Sequence, residues 1–440
     1  MFINYLPYPS DRAAGSRRTD VSIVQWCSYL PPRERYMAIQ TLLLSSTSIT
    51  PLRGVVVPWT RRPAPENREN MGSPADLAER LHREEGVVAI GVDVSADGIT
   101  AVVADGGGSV ISSLERPVPK ECRSNNAHRL AQGIGSAIEA LCAGVADDLS
   151  GEASGAAALV VGVCVPGVVD EDEGRVRRSE ALGLQDVPLA SLVRQSLSSW
   201  VTGPSGLSGG LEVMLYQDAG CGAWAESQWG AAGRDCLYLA VGERISSAVL
   251  LGGAPVLGEG WAGQVGRILV PDPDWSGERA RLEDVASVGA MVRRRTAGMV
   301  DDSAGSLDSG DYVSGISGAV AATSRSCDDA SDEPSTQCAS GLEALLGAMH
   351  SGDREARRVW DTGLDSLAEL VAHGVGLLGP LDIVVNSELM RADEVVFLEP
   401  LRRRVADLVG DLPAPRLVAA RLGVSAPALG AAGRALADWK

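Results

Sequence analysis

The sequence predicts an α/β protein of two lobes with a cleft between them, and three observations carry that prediction. Short β-rich runs punctuated by Gly alternate with amphipathic helical stretches, and the strand pattern of the first half returns in the second. Aromatics make up only 4% of the chain, so the core must be filled by Val, Leu, Ile and Ala, as buried parallel strands and their covering helices are. At 440 residues the chain is also too long for one hydrophobic core.

Residues 1–70 mix Pro, Ser, Arg and isolated apolar patches without sustained periodicity, which predicts a poorly ordered extension, with Met71 as an alternative start. SPADLAERLHREE, from Ser73, then carries a helix start signal and Leu77 and Leu81 one turn apart. VVAIGVDVS, GITAVVADG and GSVISSLERP read as a β-meander, with turns at Ala96-Asp97-Gly98 and Asp105-Gly106-Gly107. AHRLAQGIGSAIEALCAGV reads as a helix, ALVVGVCVPG as a buried strand and DVPLASLVRQSLSSW as a second helix.

The second set starts at LEVMLYQ, continues through the helix AGCGAWAESQWG, and adds strands in CLYLAVG, ISSAVLLGG and APVLGEG. Between about 300 and 342 an acidic, Ser-rich passage reads as a mobile surface insertion. Helices return in GLEALLGAMHSGDREARRVWDTGLDSLAELVAHGVGLL, then a strand in LDIVVN and a last helix after Gly423. The expected organisation is an extension over 1–70, a first lobe from 71–205 plus 425–440, and a second lobe over 206–424 that holds the insertion.

A formal net charge of -18 argues against non-specific binding of the body of the chain to nucleic acid. Residues 1–70 hold nine Arg and no Lys against five Asp plus Glu, too small an excess for a DNA-binding arm. The eight Cys are scattered without a CxxC pair, which fits a reducing cytoplasm. None of the four His stands beside a Cys at metal-ligand spacing, so no structural zinc is expected. No run approaches ~18 consecutive apolar residues and the start lacks the order of a secretory signal, so no membrane association is expected.

Six segments in order, IGVDVSADGITAVVAD, GVCVPGVVDEDEGRVRRSEALGLQDVPL, YQDAGCGAWAESQWGAAG, LYLAVGERISSAVLLGGAPVLGEGWAGQVGRILV, LEDVAS and SAPALGAAGRAL, resemble the ROK family of bacterial sugar kinases and sugar-responsive repressors. The resemblance covers about residues 87–438 and implies the two-lobed actin-like, ribonuclease-H-like sugar-kinase fold. It places the family's catalytic base at Asp218, preceded by Gln217 where the family has Asn. A carboxylate there can take the proton of a sugar hydroxyl that attacks a phosphoryl group. It can equally cap the helix that follows, and both roles can hold.

The remaining sites implied by the resemblance depart from the family pattern. The first phosphate loop reads Asp93-Val94-Ser95-Ala96-Asp97-Gly98 in place of Asp with paired Gly and a Thr, and a plain β-turn explains it as well. In the second, Gly242 and Ser246 flank Glu243 and Arg244, of which the first repels phosphate and the second can bind it. Near the adenosine pocket, Asn386-Ser387-Glu388 replaces a run of Gly. On the sugar side Gln264 and Arg267 stand where the family has Glu and His, and Arg267 cannot serve as the zinc ligand its His often provides. Glu283 matches a further sugar-contacting Glu, or serves as a favourable charge at a helix start. An acidic substituent on the sugar would suit Arg267. PGVVDEDEGRV gives the turn at the lobe's mouth. Trp224 and Trp229, about 140° apart at helical pitch, are expected on separate surfaces.

The sequence therefore predicts a cytoplasmic, self-associating, regulator-like protein that senses a sugar or sugar derivative and needs no cofactor. The alternative is an ATP-dependent hexose or amino-sugar kinase that uses Asp218 and MgATP. Residues 1–86 supply only one credible helix, a poor recognition helix, so DNA contact needs a domain not recognisable here or one supplied by a partner.

Overall fold

The computed structural model describes residues 87–96, 98–104, 108–118, 126–145, 158–201, 210–304 and 334–439. The expected extension, the helix from Ser73, Asp97, the Asp105–Gly107 turn and residues 305–333 of the insertion lie outside the described residues. Among the described residues no helix is long and apolar enough to cross a membrane.

The described residues open with β1 (Val87–Val94), β2 (Gly98–Ala104) and β3 (Val110–Pro117), the expected meander, followed by α1 (Ala127–Val145) and β4 (Ala158–Val165). Three short strands come next, β5 (Val168–Asp170), β6 (Arg175–Ser179) and β7 (Leu184–Val187), then α2 (Leu189–Val201) and β8 (Leu211–Gln217). Strands β1, β4 and β8 pair in parallel and β1, β2 and β3 antiparallel, giving a sheet of order β3-β2-β1-β4-β8. Leu130, Ile134, Ile138 and Leu141 repeat at helical spacing on α1 and, with Val193 and Leu197 of α2, cover Val161 and Val163 of β4. Each such buried side chain contributes about 1.5–3 kcal/mol.

Two expectations are corrected here. The lobe boundary at 206 put LEVMLYQ in the second lobe, whereas β8 pairs along its whole length with β4 and belongs to the first sheet. The PGVVDEDEGRV turn is only the start of a separate sheet of order β5-β6-β7, whose charged sequence, RVRRS in β6, hides its strand pattern.

The second half runs α3 (Asp218–Trp229), β9 (Cys236–Val241), β10 (Ile245–Leu251), β11 (Ala254–Pro255), β12 (Leu269–Pro271), β13 (Arg279–Arg281), α4 (Leu282–Ala286), α5 (Val288–Ala304), α6 (Pro334–His350) and α7 (Arg354–Leu378). It ends with β14 (Asp382–Ser387), α8 (Leu398–Val409), β15 (Leu417–Ala419) and α9 (Ala426–Asp438). The second sheet has the order β11-β10-β9-β14-β15. The expected insertion already overlaps the end of α5 and the start of α6, whose Leu342 is fully buried. Helix α7 begins where Asp353 accepts the Ala356 N–H at 2.9 Å and ends at Gly379, φ 84°, just before Pro380. Its apolar face, Val359, Leu364, Leu367 and Val371, shares a core with Leu401 and Val405 of α8.

Helices α3 and α9 lie between the two sheets, and small residues let them approach. A Cβ on Gly91 of β1 would stand 1.8 Å from the Ala428 carbonyl oxygen, and one on Gly162 of β4 would stand 2.0 Å from that of Ala431. The Ala- and Gly-rich SAPALGAAGRAL segment is thus a packing surface that seats α9 directly on the first sheet. Trp224 and Trp229 do not occupy separate surfaces as expected. Their rings meet edge to face, centroids 5.2 Å apart, because both reach the space over Gly433 of α9 that a Cβ would fill.

Candidate functional site

Parallel pairing fixes where chemistry can gather. Asp93 is registered against Cys164, and Val165 against Gln217, so the carboxyl ends of β1, β4 and β8 share one edge of the sheet. Ligands of open α/β sheets bind at such edges. A cleft of about 310 Å³ opens there, lined at the first sheet's end by Asp93, Pro166, Gly167, Glu180 and Asp218, which directly follows β8. The second half adds Gly242, Glu243, Arg244, Ser246, Gln264, Arg267 and Glu283. A larger hollow of about 580 Å³ beside Trp360 and Arg404 shares no lining residue with it, and Arg404 there is tied to Asp361 and Asp365.

Asp218 lines the cleft as the first residue of α3. The cap belongs to Gln217, whose Oε1 accepts the Gly220 N–H at 2.6 Å, so the alternative role of Asp218 as the cap is corrected. Asp218 accepts the Ala219 N–H at 2.7 Å. Burial, and then the charge of Asp93, push its carboxyl up to about 7, against the pull of that backbone donor. Asp93 is raised to about 6, chiefly by burial, with the Cys164 thiol donating to its Oδ1 at 3.4 Å in opposition. Two carboxylates with raised pKa therefore face one cavity.

Gln217 itself, expected to contact the sugar, is buried and stands off the cavity wall because its side chain serves the helix. Behind it Glu171 accepts its N–H at 3.3 Å and forms a buried ion pair with Arg434 of α9, 2.7 Å apart. Gly98 also stands off the wall, in the turn between β1 and β2. Its N–H donates to Ser95 Oγ at 3.0 Å, and the Ser95 N–H donates to its carbonyl at 2.9 Å. The Gly242 N–H likewise donates within its own turn, to the Arg244 carbonyl at 2.9 Å. Ser246, on β10, does line the cleft.

Glu243, read as repelling phosphate, and the Asn386-Ser387-Glu388 segment are placed differently from one another. Glu243 pairs with Arg293 of α5 at 2.8 Å, which offsets its charge. Glu388 is not among the cleft-lining residues, and Asn386 donates to Tyr238 Oη at 2.7 Å and to the Gly423 carbonyl.

On the sugar side, Gln264 donates through Nε2 to the Gly167 carbonyl at 2.9 Å, joining the second half to the Pro166-Gly167 turn. Gly167 is required there: its φ is 116°, and a Cβ would stand 2.3 Å from the Arg178 carbonyl oxygen. Arg267 lies 3.0 Å from Glu180, which also accepts from Arg178 at 2.7 Å. Burial opposes ionisation of Glu180, but Arg267 and Arg178 outweigh it and hold its carboxyl below the usual range. Glu283 sits in the first turn of α4 with Arg244 and Arg281 each 3.7 Å away. The sequence reading missed Glu180, Arg178 and Arg281. Their only signal was the RVRRSE run and the Arg before LEDVAS, and nothing linear joins the two.

The model of the ROK family matches residues 89–438. The bifunctional enzyme NanE/NanK of Brucella suis biovar 1 (strain 1330) is 28% identical over 225 residues, which are 51% of this chain and 34% of that protein. The chain therefore spans about a third of that relative's length. The xylose repressor of Caldicellulosiruptor bescii is 29% identical over 140 residues, 30% of this chain and 32% of the repressor. Among solved structures, the ROK hexokinase from Thermus thermophilus is similar with a TM-score of 0.54 at 24% identity, over 78% of this chain and 96% of that one. That likeness is one of fold.

Proposed function

This chain belongs to the ROK family, which includes sugar kinases and sugar-responsive repressors, and from that premise we propose that it is a regulator-like protein that binds a sugar or sugar derivative without phosphorylating it. One contrast within the cleft carries the reading. Asp218, Gln264, Arg267 and Glu283 line it and can meet hydroxyls. The Gly98 and Gly242 amides at the two turns expected to cradle phosphates are spent inside those turns. A phosphate loop works by turning such N–H groups towards the anion. Gly98, Gly242, Ser246 and Asp93 then mark an eroded nucleotide side, and no cofactor or structural zinc is required. We place the protein in the cytoplasm as a homo-oligomer, with any DNA contact made through a domain outside the described residues or through a partner.

One observation favours a second reading, an ATP-dependent hexose or amino-sugar kinase. A carboxyl raised to about 7 at the cleft wall suits a general base at neutral pH, and that group is Asp218. The deciding experiment incubates the protein with MgATP and a panel of neutral, amino and acidic sugars and follows ADP. The regulator reading expects no sugar-dependent ADP. Sugar-dependent ADP that disappears in Asp218→Asn establishes the kinase instead.

A further inference from the structure

On the reading that the cleft takes a carbohydrate, we propose that this carbohydrate carries an oxyanion, a carboxylate or a phosphate, received by the guanidinium groups of Arg244 and Arg281. Four guanidiniums, those of Arg178, Arg244, Arg267 and Arg281, surround the two carboxylates of Glu180 and Glu283. These six side chains carry a surplus of positive charge in a chain whose net charge is -18, while of the other carboxyls lining the cleft Glu243 is paired with Arg293 and Asp93 and Asp218 have raised pKa values.

The four are not equally engaged. Arg178 and Arg267 approach Glu180 at 2.7 and 3.0 Å and use up its charge. Arg244 and Arg281 come no nearer than 3.7 Å to any carboxylate oxygen. Among the described residues neither side chain donates a hydrogen bond to another protein group, and both are close to half exposed, at 48% and 45%. Each therefore presents a planar fork of N–H donors, with one oxygen of Glu180 and one of Glu283 standing 3.7–3.8 Å from both.

A guanidinium fork matches a carboxylate or phosphate bidentately, whereas a neutral hydroxyl uses one donor and leaves the charge unanswered. Arg244 lines the cavity; Arg281 is not itself a lining residue but stands 3.8 and 3.7 Å from Glu180 and Glu283, which are. At about 310 Å³ the cleft is at the small end of ligand pockets, so the anion belongs to a ligand of monosaccharide size.

Calorimetric titration of the full chain with matched sets tests this: glucose, mannose, galactose and N-acetylglucosamine, each beside its 6-phosphate, and for the first three the 6-carboxylate. Arg244→Ala and Arg281→Ala are titrated in parallel, with Arg116→Ala as the charge-matched control, since Arg116 donates to Ser136 away from the cleft. The expected result is an acidic member that binds about 10-fold or more tighter than its neutral parent. It loses that advantage in either of the two arginine variants and keeps it in the control. The phosphate and carboxylate arms identify which oxyanion is read. If Arg244→Ala does not fold, Arg244→Lys keeps the charge without the fork and should still weaken the acidic ligand. Acidic members that bind no tighter than their neutral parents overturn the inference and leave the carbohydrate reading intact. Binding by none of the sugars overturns both.

Discussion

In the first sheet three antiparallel strands lead into two parallel ones, β3-β2-β1-β4-β8, and the second sheet repeats that order as β11-β10-β9-β14-β15. The ends of the two sheets differ. The first brings Asp93 and Asp218 to the cleft, backed by the buried Glu171–Arg434 pair. From the second half come Arg244 and Arg267, with Arg281 beside them. Strand order follows from apolar pairing and tolerates little change, while residues at the strand ends face the cleft and can differ between the two sheets. One architecture, used twice, thus gives the cleft an acidic wall and one where Arg244 and Arg267 alternate with Glu243 and Glu283.

Breaking the support of the acidic wall should have the largest effect. Arg434 and Glu171 have side chains only 5% and 4% exposed, so Arg434→Ala strands a buried carboxylate and should cost about 3–5 kcal/mol in denaturant unfolding. Arg434→Met combined with Glu171→Gln should recover most of that loss.

Removing a charge from the wall itself should have a smaller effect that depends on pH. The carboxyl of Asp218 rises from 3.8 to about 7 on folding, so the native state holds a proton that the unfolded chain has released. Its contribution to stability is full below about pH 4 and is lost as pH rises towards 7. Asp218→Asn escapes that loss. Urea unfolding should find it more stable than the parent at pH 8, by on the order of 2 kcal/mol, with little gain at pH 4. At pH 8, where the carboxyl is ionised, the same substitution should also weaken sugar binding by about 10-fold, because the charged acceptor is gone.

On the second wall, Glu243→Ala removes an exposed pair with Arg293 and should change stability by less than about 0.5 kcal/mol. Since Arg293 already offsets that charge, affinity for MgATP should change by no more than about threefold. A larger gain would mean that Glu243 alone keeps nucleotide out.

Periodicity and turn chemistry made most of this fold readable in advance: the meander, α1, α2, α3, α7 and α9 are where the patterns put them. Strand membership was not readable, because β8 follows a break in composition and only its pairing with β4 assigns it to the first sheet. Asp93, Asp218, Gln264, Arg267 and Glu283 do line one cleft. Gln217 does not, since its Oε1 is taken up in capping α3. The cluster of Arg178, Glu180, Arg244, Arg267, Arg281 and Glu283 joins segments that only the tertiary fold brings together.

The central claim is that the cleft binds a sugar without help from nucleotide. Thermal unfolding of the purified chain with each sugar, in the presence and absence of MgATP, tests it most directly, because a ligand that binds only the folded state raises the midpoint. The account predicts that at least one sugar raises the midpoint equally under both conditions. A shift produced by MgATP alone, or a sugar shift that needs MgATP, would contradict it.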